Sequence, residues 1–313
     1  MGGSGGSGGG LALGGSGGAT ASGGSGGMVV YGNPLAGNPQ VRLISGNRSF
    51  GQPEGPLWIE EGAYLLFSAV NDSRIWKVEP DKPDAMRFSQ FAYKNTRTNG
   101  LALDPEGNLL VCERTTGKVG KRKLPDGPIS YVAEEFDGKR LKAPNDIVAG
   151  KNGNIYFTDP RWDSGSDLPE SAYRIDTQGM LHRITTGTAK PANPNGIALS
   201  PDETALYVGD DGDGGGIWKY DVNADGVTSN PRILTTTQKP DGIAIDRAGN
   251  LYVASNSALR QIVVFRPDGS KLGEISVPAQ PSNASFGGVE GKTLFITAGT
   301  GLYAVDLAVP GLP

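Results

Sequence analysis

The sequence predicts an all-β chain, a six-bladed β-propeller with four-stranded blades whose last blade is completed by an N-terminal strand. Three observations predict it. One strand–turn–strand pattern occurs six times at a nearly constant period, glycine is dense wherever short strands must be joined, and no stretch carries the 3.6-residue periodicity of a long helix. A TIM barrel or doubly wound sheet needs helices between its strands and is disfavoured.

Taken in chain order, the first 27 residues are almost wholly Gly, Ser, Ala and Thr around one LAL interruption, and hold 15 of the 49 glycines. Such a tract cannot bury a core, so residues 1–27 read as a flexible tail or linker and residues 28–313 as one propeller domain. As a native stalk behind a removed export signal the tract leans toward an exported or periplasmic protein; as an expression linker it leaves a cytoplasmic one. VRLISGN (residues 41–47) is an orphan strand ahead of the repeats. Four repeats then match closely: GLALDPEGNLLVCE from Gly100, DIVAGKNGNIYFTDP from Asp146, GIALSPDETALYVGD from Gly196 and GIAIDRAGNLYVAS from Gly242. EGPLWIEEGAYLLFSA from Glu54 and FGGVEGKTLFITAG from Phe286 are looser copies. Turns such as PEGN, KNGN, PDET and RAGN join the first two strands, and RIWKVEP or IWKYDV supplies a third, giving about four strands per unit. The last repeat has only three strands, so the orphan strand is expected to close the ring.

Marking the residue before each apolar run gives Glu54, Asn99, Asn145, Asn195, Asp241 and Phe286, spaced by 45, 46, 50, 46 and 45 residues. The innermost strands of a propeller line its channel, so equivalent positions form a ring about one axis. Five successive oxygen-bearing side chains in that ring suggest a cation site. The competing reading is that N-G and D-G are turn dipeptides, with Asn or Asp chosen for left-handed backbone. Glu54, a poor turn residue, and Asn145, followed by Asp146 rather than Gly, favour the site. Two carboxylates with neutral amide oxygens suit a hard or borderline divalent ion, Ca²⁺ first, with Mg²⁺, Mn²⁺, Zn²⁺ or Fe²⁺ as alternatives. Two carboxylates aimed at one axis would otherwise repel.

Composition excludes other classes. The net charge is −4 with no basic stripe, which disfavours nucleic acid, and the longest apolar runs are strand-sized, far short of a membrane span. Cys112 stands alone, so neither an intrachain disulfide nor a cysteine zinc site can form. Asp221, Asn223, Asp225 and Gly226 match the start of an EF-hand loop, but its twelfth position is Arg232 where a bidentate Glu is required; a solvated turn is expected. The glycine-rich DGDGGG run (residues 211–216) reads as ordinary turn chemistry. His182, the only histidine, lies in a strand-like segment away from the ring, so a Ser-His-Asp triad is not expected.

Between about residues 40 and 310 the chain resembles the gluconolactonase group that includes senescence marker protein 30 and luciferin-regenerating enzyme. EGPLW at Glu54, NGLALDPEGNLLVCE at Asn99, APNDIV with NIYFTDP around Asn145, PNGIALSPD at Asn195, PDGIAIDRAGNLYVAS at Asp241 and the terminal TLFITA carry the resemblance. It implies one divalent ion on Glu54, Asn195 and Asp241, with Asn145 as a further ligand or a contact to substrate. It also implies Asp146 as support behind the ligands and Asn99 as a substrate contact. The sequence departs from similar bacterial chains in having Arg114 where His follows the CE of the second blade, and RWDSGSD in place of a short PYG-like turn; Arg114 is therefore expected to bear on substrate choice. The expected activity is metal-assisted opening of a sugar lactone, a small-molecule substrate, with Asp241 as general base. A phosphotriesterase on the same propeller and a non-catalytic ligand-binding propeller are the alternatives. A closed ring needs no partner to finish its sheets, and oligomeric state is not legible.

Overall fold

The computed structural model describes residues 1–2, 30–94, 96–162, 165–185 and 190–312. Contacts divide the chain into Met1–Val30 and Tyr31–Pro313. The tail expected over residues 1–27 lies, beyond its first two residues, outside the described ones.

Tyr31–Pro313 contains six four-stranded antiparallel sheets, five of them consecutive meanders as the repeats predict and the sixth completed by an N-terminal strand, together with a short two-stranded pair, Glu135–Phe136 with Lys139–Arg140. Their first strands are Pro53–Ile59 (blade 1), Thr98–Leu103 (blade 2), Ile147–Ala149 (blade 3), Pro194–Leu199 (blade 4), Pro240–Ile245 (blade 5) and Pro281–Gly287 (blade 6). Each packs against the first strand of the next blade, and that of blade 6 packs against that of blade 1, so the six form the inner wall of a closed ring. Burial follows position. First and second strands are almost wholly buried, whereas outer strands such as Thr228–Thr236 and Lys271–Ser276 alternate or face solvent. Apolar clusters between adjacent blades, such as Leu110, Phe157 and Tyr173 between blades 2 and 3, supply the burial that drives assembly. No described helix is long and apolar enough to cross a membrane.

The orphan strand closes the ring as expected, over a shorter span than its sequence suggests. Arg42–Leu43 pairs antiparallel with Gly301–Asp306 as the fourth strand of blade 6. Ile44 and Ser45 continue the seam, both backbone N–H groups donating to the Leu302 carbonyl. The indole of Trp58 in blade 1 stacks on Phe295 in blade 6, with ring centroids 5.5 Å apart and planes within 9°.

Five of the six inner strands carry a β-bulge near their start; in blade 3 the regular ladder begins at Ile147, just past Asn145. Pairing skips between Glu54 and Leu57, Thr98 and Leu101, Pro194 and Ile197, Pro240 and Ile243, and Pro281 and Asn283. The N-G and D-G dipeptides sit in these bulges, inside strands rather than in turns. Their glycines serve close approach between blades: a Cβ on Gly100 would lie 2.6 Å from the Asn145 carbonyl oxygen, and one on Gly196 would lie 2.0 Å from that of Asp241. The bulge also corrects the sixth mark. Ser282, following Pro281 as Asp241 follows Pro240, occupies the ring position of blade 6. Phe286 stands four residues further along, packed edge-on against Tyr252 in the interblade core.

Candidate active site

A bulge turns a side chain out of its ladder, and one repeated at the same place in neighbouring inner strands turns those side chains toward the axis. Glu54, Asn99, Asn145, Asn195 and Asp241 are all buried at that level, each no more than 5 % exposed. The last four are joined in sequence order. The Asn99 side-chain amide donates to Asn145 Oδ1, Asn145 Nδ2 donates to Asn195 Oδ1 at 2.8 Å, and Asn195 in turn hydrogen-bonds the Asp241 carboxylate. Hydroxyls of second strands fix the backbone beneath them: Ser68 Oγ donates to the Asn99 carbonyl and Thr158 Oγ1 to the Asn195 carbonyl.

Electrostatics sets this level apart. Burial pushes the Glu54 carboxyl well above the usual range, Asp241 and Asp146 push it further, and Arg114 partly opposes them. Burial likewise raises Asp241 to about 8, against the hydrogen bonds it receives. Two acids facing one point thus resist ionising there. Asp146 stands where four other blades have glycine. Its Oδ2 accepts the Ile197 N–H at 3.1 Å, it also hydrogen-bonds Asn283, and burial raises it to about 6. On the far side of this layer the channel opens into a cavity of about 420 Å³ walled by Leu57, Leu101, Ile147, Ile197 and Ile243.

Arg114 follows the second strand of blade 2 and is buried, its guanidinium 5.7 Å from the Trp162 ring centroid. Its loop is pinned by Arg140, which donates to the carbonyls of Arg114, Thr115, Thr116 and Lys142. Ser282 does not join the polar arc; its hydroxyl donates to the Pro53 carbonyl at 2.7 Å. The other residues weighed in the sequence sit apart from the ring. His182 pairs with Asp176 at the surface at 2.7 Å, and the EF-hand-like segment is a turn in which Asn223 Oδ1 caps the N–H groups of Asp225 and Val227.

Sequence reasoning missed three groups here. Asn256 Nδ2 donates to Asp241 Oδ2 at 2.8 Å. Asp211 raises the Asp241 carboxyl by its charge, and Asn283 supports Asp146. Asn256 and Asp211 directly follow the second strands of their blades, Leu251–Ser255 and Ala205–Asp210, the place Arg114 occupies in blade 2. That shared offset was the available signal.

Residues 52–300 match the model of the SMP-30/Gluconolactonase/LRE-like region. The chain belongs to this family. It is 35 % identical over 275 residues to the gluconolactonase of Zymomonas mobilis, covering 78 % of this chain and 75 % of that one. To the lactonase drp35 of Staphylococcus aureus it is 27 % identical over 239 residues, covering 73 % and 71 %. The solved gluconolactonase of Xanthomonas campestris superposes with a TM-score of 0.78 at 28 % identity, over 88 % of this chain and 91 % of that one. The expectation of a lactonase-class enzyme on a six-bladed propeller therefore holds for this family member.

Proposed function

We propose that the chain opens a sugar-derived lactone at the ring of Glu54, Asn145, Asn195 and Asp241, with one divalent ion held by those four residues. The observation that carries the proposal is the convergence of two buried carboxyls and an arc of amides at the start of successive inner strands, each carboxyl held above its ordinary range. A structural core gains nothing from that arrangement, whereas a dication relieves it, and the oxygen-only donor set fits Ca²⁺ first and Mg²⁺, Mn²⁺, Zn²⁺ or Fe²⁺ as alternatives. When bound, such an ion polarises the ester carbonyl and stabilises the oxyanion that develops on it.

The remaining work falls to the chain. Asp241, ionised in the working state, takes the proton of the attacking water as that oxygen bonds to the carbonyl carbon; the ring C–O bond breaks, and the leaving oxygen takes a proton to give a hydroxy acid. Glu54 contributes charge and holds position. Asn99 and Arg114 line the approach as substrate contacts, and Asn145 serves the ion, the substrate or both. Asp146 stays behind the ring, fixing the backbone of blade 4 through Ile197. The relatives reported above are lactonases, and no feature of the ring favours the phosphotriesterase or non-catalytic alternatives.

The test is hydrolysis of a lactone panel by chelated protein and after readdition of each divalent ion. Turnover that is lost on chelation, restored by one of the ions and abolished by Asp241→Asn in a folded protein is the expected result. Full activity of Asp241→Asn, or no lactone opened under any condition, refutes it.

A further inference from the structure

We propose that Asn256 and Gln280 act as a positioning pair for Asp241, fixing which way its carboxylate faces across the mouth of the ring. This rests on Asp241 being the base of the proposed reaction. Asn256 stands exposed at the mouth, just after the second strand of blade 5, with its backbone N–H tied to the Lys239 carbonyl at 2.9 Å. Its Nδ2 donates to Asp241 Oδ2. An exposed primary amide has two orientations of nearly equal shape, and the wrong one would present an oxygen to a carboxylate. Gln280, in the connection leading into blade 6, supports the productive one: its Nε2 donates to Asn256 Oδ1, as the Asn256 NH₂ group faces Asp241.

The two donors onto Asp241 come from different blades, Asn195 from the inner strand of blade 4 and Asn256 from the loop of blade 5. Rotation about the terminal torsion of an aspartate is soft, so with a single donor the carboxylate can swing. Held by two donors anchored in separate blades, it keeps one plane. Groups that orient ligands in this way are worth about 10–100-fold in metal affinity or activity.

The experiment uses the full chain and four proteins: wild type, Asn256→Ala, Gln280→Glu and the double variant. Each is measured for kcat and KM on the lactone that wild type opens best, and for Ca²⁺ affinity by isothermal titration. Both side chains are exposed, so melting temperatures should stay near wild type and report correct folding. We expect Asn256→Ala to lower kcat and Ca²⁺ affinity about 10-fold or more, with KM moved less than about threefold. Gln280→Glu puts an acceptor against Asn256 Oδ1 and turns the amide round, so it should cost a similar factor with Asn256 present and almost nothing without it. A merely structural role would give equal losses in both backgrounds. That result, or single variants with wild-type kcat and Ca²⁺ affinity, overturns the pair. If wild type binds Ca²⁺ but opens no lactone, the functional reading fails while the titrations still decide this proposal; if it does neither, both fall.

Discussion

Asp241 answers two opposed demands: its surroundings favour the protonated acid, while the proposed chemistry requires the carboxylate. In chelated protein the sign is fixed by its raised pKa. The stabilisation is fully present below the ordinary aspartate range and is lost as pH rises through about 8. Glu54 acts in the same direction. Metal-free protein should therefore melt at higher temperature as pH is lowered from about 8 to about 5, and Asp241→Asn should flatten that slope; a melting temperature that rises with pH in chelated wild type contradicts it. Added divalent ion should reverse the trend, because it favours the ionised pair. At this scale the sequence was a good guide to Glu54, Asn99, Asn145, Asn195 and Asp241, because each sits at a fixed offset in a repeat. It did not single out Asn256 and Asp211, which share an offset just past a second strand but repeat no residue type there, nor Asn283, whose role arises from its contact with Asp146 of another blade.

The shared bulge is the element that makes the ring possible, and its glycines show what the repeats were selecting. A Cβ at position 196 would overlap backbone of the next blade, which cannot move without parting two inner strands. Gly196→Ala should cost about 1–3 kcal/mol or more of unfolding free energy by urea titration, the range for overpacking a rigid site, and should weaken activity beyond what stability explains. Gly214→Ala is the control: it lies in an exposed turn at φ +85° with open space about its Cα, so it should cost only about 1–2 kcal/mol of local backbone strain and leave activity intact. Equal effects of the two on activity would count against the bulge as the site's scaffold. Reading N-G as a turn failed for a physical reason. Glycine supplies either positive φ or the absence of a side chain, and composition alone does not say which. The misplaced sixth mark has a related cause: blade 6 reads PSNASFG, in which Asn283 replaces the glycine that identifies the bulge elsewhere, so the apolar run drew the mark to Phe286.

For the whole molecule, the period and the three-strand final repeat were enough to read ring closure, because a missing strand at one end and a spare strand at the other admit one arrangement. The contribution of closure is measurable. Deleting residues 31–47 removes Arg42–Leu43 and the buried Ile44, and should lower the melting temperature by about 4 °C or more, from roughly 2 kcal/mol of lost burial at about 2 °C per kcal/mol for a chain of this size. Arg42→Ala breaks the solvent-exposed pair with Asp306 and should shift it by no more than about 2 °C. A deletion as mild as the point substitution would show that the seam holds without its fourth strand. The position of that seam has a consequence for how the enzyme comes into being. Glu54 belongs to blade 1 and Asp241 to blade 5, with the closing blade between them, so the two acids stand near opposite ends of the chain yet on either side of one joint. A chain emerging from synthesis can build the amide arc from Asn99 to Asn195 early, and add Asp241 to it, while Glu54 still faces an open edge. The proposed donor set is complete only when the last blade docks, so if the ring takes up a divalent ion as proposed, that uptake during refolding would time the final act of assembly rather than any step before it.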